Sequence, residues 1–305
     1  MRLCSRNELA AGLRCVAMAA LALVAFIGCV PAAAIAIPTA TRLPPTPSPT
    51  AFSPTAVATP SPPATCLEEG TWTEFEYRGV AVAQQVPALA YLPPCYEAES
   101  VRYPAAYFLH GKPYTESQWI DLGLPAEIEA AAADGRMPPM IVVLARQPEP
   151  VFSNSDGGPG SYETEFLEGL LPAVDGAYRT VAAPEGRVIV GLSRGGVWAL
   201  EIGLRNPDRI GAVAALSPSL AVNYAREPYD PLHLAATAEQ LPALVFLGAG
   251  EEDWARSRTE ALHAALTARG VAPELVIVPG DHSDPTWEAL LPAVSRFLGA
   301  ALGES

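Results

Sequence analysis

From residue 71 onward, apolar positions come in short runs separated by longer stretches in which they recur at helical spacing. Residues 71–77 and 80–92 are rich in aromatic and β-branched side chains and break at Arg78-Gly79, the pattern of an antiparallel opening pair. Beyond them, 105–109, 140–145, 187–192, 211–216, 243–247 and 274–278 are near-continuous apolar runs, each too short for a buried helix. Runs of this kind suit strands covered on both faces, as in a parallel sheet. Residues 163–178, 195–205, 255–269 and 285–301 lie between or after them with a helical period, as at Leu290, Leu291, Val294, Phe297 and Leu298. Strand and helix alternating in this order predict a doubly wound α/β domain: a mostly parallel central sheet with helices on both faces and an antiparallel strand pair at its start. Ligands of such sheets meet the carboxyl ends of the strands. No internal repeat interrupts the order.

The first 65 residues have a different pattern. Arg2, Arg6 and Arg14 precede an uncharged run over 16–28, the charged and apolar parts of a secretory signal. That run ends in Phe26-Ile27-Gly28-Cys29, which resembles the lipobox of bacterial lipoproteins; the resemblance implies a signal over 1–29 whose Cys29 is lipidated. Cleavage near Ala34 and an uncleaved anchor over 16–37 are the alternatives, and all three export the domain beyond. Residues 30–65 are dominated by Pro, Thr, Ser and Ala with almost no charge, so they cannot bury enough surface to offset the entropy of ordering. This segment reads as an extended tether, and the folded domain as 66–305.

Charge and cysteines narrow the partners. Residues 66–305 carry 15 basic and 32 acidic side chains, which argues against nucleic acid or an anionic lipid surface and leaves the membrane to the N-terminal anchor alone. Cys66 and Cys95 are the two cysteines of the exported domain, and an even pair outside the cytoplasm suggests a disulfide. Neither a zinc-ligand spacing, nor a phosphate-binding glycine loop, nor a CxxC is present, so no metal or cofactor is expected. Oligomeric state is not encoded in any pattern found.

Candidate chemistry centres on Gly191-Leu192-Ser193-Arg194-Gly195, between an apolar run and a helical one. A strand turning abruptly into a helix presents a serine hydroxyl at the top of a sheet, and the flanking glycines let backbones approach closely. Such a serine needs a base, and four histidines are available. His263 falls inside a helical stretch, His233 in an irregular one, and His110 beside Gly111 at the end of an early strand. His282, in the loop after the last strand, is the expected base and keeps the chain order serine, acid, histidine. Glu251, Glu252 and Asp253 come after the strand before it, and Asp253 is the expected acid; Asp281 abuts His282, and Asp284 before Pro285 suits a helix N-cap. A tetrahedral intermediate also needs two donors: the backbone N–H of Arg194, and one in Leu109-His110-Gly111-Lys112-Pro113. Proline has no N–H, so the second donor is Lys112, with Gly111 as the fallback. His110, Trp119, Trp254 and Trp287 are candidates for a substrate pocket wall, with ordinary packing as the alternative for the tryptophans.

Wider segments resemble the esterase branch of the α/β-hydrolases that includes esterase D, S-formylglutathione hydrolases, enterochelin esterases, feruloyl esterases and mycolyltransferases. Tyr91-Leu92-Pro93-Pro94-Cys95-Tyr96 is similar to the family's YLPPGY, and Tyr103-Pro104 through Leu109-His110-Gly111 to its YPxxxLLHG. The strand at Met137-Pro138-Pro139-Met140-Ile141-Val142-Val143, the pair Leu171-Pro172 with Tyr178-Arg179, the elbow, and Pro279-Gly280-Asp281-His282 continue the likeness. The resemblance implies an α/β-hydrolase fold, Ser193, Asp253 and His282 as the triad, and Lys112 with Arg194 as oxyanion donors. It implies a small-molecule, glycan or lipid ester as substrate and a serine carboxylic ester hydrolase as activity. Acyl transfer on the same triad, and a tethered binding protein on an inactive scaffold, are the competing readings. Lys112-Pro113 and Cys95 depart from the family pattern, Cys95 standing where YLPPGY has glycine.

Overall fold

The computed structural model describes residues 69–303. The signal, Cys29, the tether and Cys66 lie outside the described residues. Among those described, β1 (Thr71–Arg78) and β2 (Gln85–Leu92) pair antiparallel, Thr71 opposite Leu92 and Arg78 opposite Gln85. The second strand is shorter than the apolar run 80–92 suggested. Its early residues are drawn into the turn: the Ala81 N–H leaves the ladder for the Glu165 carboxylate at 2.7 Å, and Gly79 N–H closes the turn on Gln84 O at 2.8 Å.

The remaining strands are β3 (Ala105–Leu109), β4 (Ile141–Ala145), β5 (Arg187–Leu192), β6 (Ala212–Leu216), β7 (Leu244–Gly250) and β8 (Glu274–Val278). They build one eight-stranded sheet in the order β1-β2-β4-β3-β5-β6-β7-β8. β2 runs antiparallel to β4, and every later pair is parallel. Alternation along a strand sends successive side chains to opposite faces. In β3, Ala105, Tyr107 and Leu109 join one core while Ala106 and Phe108 join the other.

Helices cover both cores. On one side lie α3 (Tyr162–Thr164), which passes through a π-wound turn (Glu165–Leu170) into α4 (Leu171–Ala177), then α5 (Arg194–Arg205), α6 (Pro231–Thr237) and α7 (Arg256–Ala268). On the other lie α1 (Gln118–Asp121), α2 (Leu124–Ala133) and α8 (Asp284–Leu302). α8 begins with Asp284 as its first helical residue, and Ser283 holds the cap position expected of Asp284. α2 and α6 were not expected. α2 buries only Leu124, Ile128 and Ala131, a narrow stripe beside alanines that are mostly exposed; α6 is seven residues long and is capped by Asp230, whose side chain accepts from Leu232 N–H at 2.9 Å.

Candidate active site

Ser193 stands between β5 and α5 with φ 52° and ψ −110°, a conformation L residues rarely hold. Crowding explains the glycines around it. A Cβ on Gly191 would run into the Gly195 carbonyl, and one on Gly195 into the carbonyls of Leu109 and His110. The turn is fixed from outside by Ser193 N–H on Leu216 O at 2.8 Å and by Ser219 N–H on Ser193 O at 3.0 Å.

The structure brings Ser193, His282 and Asp253 together from three strand ends. His282 Nε2 lies 3.0 Å from Ser193 Oγ, and Nδ1 lies 2.9 Å from Asp253 Oδ1. A proton on Nδ1 bound to the carboxylate leaves Nε2 free to accept the serine proton. The Asp253 side chain is fully buried while that of His282 is 16% exposed. Burial pushes the Asp253 carboxyl up, but hydrogen bonds from His282 and the Ala255 N–H, with the Ser217 hydroxyl nearby, outweigh it and hold the group below its ordinary range. Glu251 and Glu252 are exposed, and Glu252 accepts from Gly280 N–H instead. Such a relay can raise the nucleophilicity of a hydroxyl and stabilise the imidazolium that forms.

Two tryptophans frame the imidazole. Trp254, 47% exposed, lies over it with centroids 4.3 Å apart, and the buried Trp287 meets it edge-on at 5.1 Å and 90°. Trp119 departs from the pocket expectation. It is wholly buried, edge-on to Phe108, in the core beneath the sheet. His110 departs as well: it is 1% exposed and ties two strand ends together. Its Nε2 accepts from Gln147 N–H at 3.1 Å, its Nδ1 faces Gly111 O at 3.0 Å, and its carbonyl accepts from the Gln147 side chain at 2.6 Å. Burial lowers its pKa to about 4, so the ring is neutral at pH 7.

The two candidate oxyanion donors differ in how they are left free. Arg194 opens α5, where an N–H has no intrahelical acceptor. Gly111 N–H is taken by Gln118 Oε1 at 2.7 Å, whereas Lys112 N–H meets no protein acceptor among the described residues. The Lys112 side chain turns outward to Ser153 Oγ at 2.6 Å and Glu149 at 3.5 Å. Beside this loop opens a cleft of about 480 Å³, lined by Lys112, Tyr114, Gln147, Glu149 and Phe152 among others. The Phe152 carbonyl accepts from the Arg194 side chain at 3.3 Å and from Trp198 Nε1 at 3.2 Å, which joins the cleft wall to the elbow helix.

Sequence reasoning missed Gln118, Gln147 and Ser217. The first two stand in no motif; Ser217 comes directly after an apolar run, as Ser193 does, and that position could have drawn attention. Cys95 is buried with φ 66°, which explains why the family pattern has glycine at its place.

A mostly parallel sheet with helices on both faces, whose carboxyl ends bring a serine, a histidine and a buried aspartate together, has the architecture of the α/β-hydrolase fold. Residues 80–298 match the family described as "Putative esterase", and the chain belongs to it. It is 25% identical over 240 residues to an endo-1,4-beta-xylanase/feruloyl esterase of Xylanibacter ruminicola, a match covering 76% of this chain and 32% of that protein. This chain therefore spans about a third of that relative's length. It is 26% identical over 204 residues to the uncharacterized protein YbbA of Bacillus subtilis, covering 59% of this chain and 77% of YbbA. Among solved structures, a ferulic acid esterase superposes with TM-score 0.68 at 22% identity, covering 77% of this chain and 99% of that one. The S-formylglutathione hydrolase FrmB of Staphylococcus aureus gives 0.63 at 16% identity with the same coverage, 77% and 99%. These structural likenesses show the fold.

Proposed function

We propose that this chain is an exported serine carboxylic ester hydrolase that works through an acyl-serine intermediate, with Ser193 as nucleophile, His282 as base and Asp253 as the acid that orients it. The observation that carries this reading is the continuous relay at 3.0 Å and 2.9 Å from Ser193 through His282 to Asp253. Ser193 Oγ attacks the ester carbon while His282 Nε2 takes its proton. The oxygen that becomes negative is held by the backbone N–H groups of Lys112 and Arg194. His282 returns the proton to the departing alkoxide, which leaves as the alcohol. Water, deprotonated by the same nitrogen, then attacks the acyl-serine, and the carboxylic acid departs as Ser193 regains its proton.

The acyl group in this proposal is aromatic, of the hydroxycinnamoyl kind for which the feruloyl esterase relatives are named. The half-exposed Trp254 face beside His282 supports it, since an aryl ring gains from stacking on an indole. Export rests on the charged and apolar N-terminal segments and Cys29, and the pairing of Cys66 with Cys95 belongs to the same proposal.

A fluorophosphonate probe tests the mechanism. The parent protein is labelled at Ser193 and hydrolyses methyl ferulate; Ser193→Ala abolishes labelling and lowers turnover by about a thousandfold or more while the fold is retained. Unchanged labelling in a folded Ser193→Ala variant overturns the proposal.

A further inference from the structure

Ser217 stands directly after β6 and is fully buried, with φ 45°. A side chain at a positive φ persists where its surroundings over-determine it. Here they do so on three sides. Ser217 N–H donates to Gly248 O at 2.7 Å, and Ser219, two residues on, donates to Ser193 O at 3.0 Å. The Trp287 indole N–H donates to Ser217 Oγ at 3.0 Å. An indole nitrogen only donates, whereas a hydroxyl both accepts and donates, so the Ser217 proton is left to give.

The acceptor that needs it is close by. Asp253 Oδ1 is already engaged by His282 Nδ1 at 2.9 Å and by Ala255 N–H at 2.8 Å. Its Oδ2 is buried and lacks a short hydrogen bond among the described residues. Ser217 reaches this carboxyl's surroundings through Trp287, whose N–H it accepts and whose ring meets the imidazole that Asp253 binds, and it is among the groups that favour the ionised form. A buried carboxylate with a half-empty set of donors is free to rotate away from the imidazole; a second anchored oxygen removes that freedom.

We infer that Ser217 is a positioning residue of this site: its hydroxyl joins the Trp287 indole to the second oxygen of Asp253, and so holds the carboxylate against His282. The same contact holds the edge of Trp287 against the imidazole. The relay thereby gains a fourth side chain and a fifth, Trp287–Ser217–Asp253–His282–Ser193, all reached from strand ends or the first turns of helices. The inference rests on the proposed roles of Ser193, His282 and Asp253.

The test uses the full-length protein with p-nitrophenyl acetate. Ser217→Gly suits the positive φ and removes only the hydroxyl; it lowers kcat about 10- to 100-fold, with KM within about twofold, the worth of one hydrogen bond to a charged acceptor. The acid limb of kcat/KM against pH moves upward, because the lost hydroxyl proton no longer offsets the negative charge that His282 feels. Trp287→Phe keeps a smaller aromatic ring and drops the N–H; it shifts the limb in the same direction, and the double variant is no slower than Ser217→Gly alone. A folded Ser217→Gly variant with parental kcat and pH profile overturns the inference, as does strict additivity in the double variant. Activity that survives Ser193→Ala instead overturns the underlying triad, so the two failures are told apart.

Discussion

Ser193 holds a backbone conformation that costs about 1–3 kcal/mol, and the contacts of its backbone with β6 and with Ser219 keep it there. Cys95 carries a milder cost of the same kind, about 1–2 kcal/mol for a side chain in the left-handed region. A third local cost is electrostatic. Glu201, on α5, is wholly buried, and neither of its carboxyl oxygens has a short hydrogen bond among the described residues. Burial first, and the nearby Glu163 second, push its pKa up to about 9. The folded state therefore holds this proton more tightly than the unfolded chain does, and the stability tied to it is present in full below about pH 4.5 and drains away as pH rises toward 9. Glu201→Gln, which cannot ionise, is expected to gain stability over the parent as pH rises from 5 to 8, by at most about 1.4 kcal/mol per pH unit. Urea unfolding of both proteins across that range checks it; a difference that does not grow with pH overturns it. The Glu201 cost does not show in the sequence, because a glutamate in an amphipathic helix looks ordinary until its burial is known, whereas the glycines around Ser193 and the glycine that the family pattern has at Cys95 hint at the other two.

Elements were legible where one physical signal dominated. Strands β3 to β7 are apolar runs that suit a sheet covered on both faces, β8 is a similar run at its edge, and α5, α7 and α8 carry a clear helical stripe. α2 was not legible because only Leu124, Ile128 and Ala131 face the core while exposed alanines blur the contrast between its faces, and a seven-residue α6 gives too few turns for a period to emerge. The turn at 79–84 was masked by Val80, Ala81 and Val82, which read as strand while the Ala81 N–H is claimed by a glutamate 84 positions away. The elbow shows how one element constrains two others. α5 begins so close beneath the end of β3 that a methyl group at Gly195 meets two carbonyls at once. Gly195→Ala is expected to destabilise the domain by about 1–3 kcal/mol and to cut fluorophosphonate labelling sharply, because backbone must move beside Ser193, the proposed nucleophile. Thermal unfolding and labelling rate measure both; a parental labelling rate would count against the close approach.

Over the whole molecule, the residues that form the relay were legible through chain order and position, since Ser193, Asp253 and His282 each come after an apolar run and no other histidine ends one late in the chain. The residues around it were not, because Gln118 and Gln147 bond the loop at His110 and Gly111, and Ser217 bonds Trp287, 70 positions on, through contacts that follow no spacing pattern. The sheet topology has one more consequence. β1 is antiparallel to β2, and β2 to β4, so β1 points the same way as the parallel strands. Thr71 thus lies at their starting ends, the pole opposite Ser193, and the end of α8 lies there too, with Gly299 against Arg136 and Gly303 near Pro138 just before β4. A bulky protein fused ahead of residue 69 should leave kcat/KM for a small ester unchanged, and enzyme assay of the fusion beside the parent checks it. Both ends of the described chain leave from one pole, so a support attached directly at residue 69 or 303 would lie behind the sheet and leave the strand ends that carry Ser193, Asp253 and His282 open.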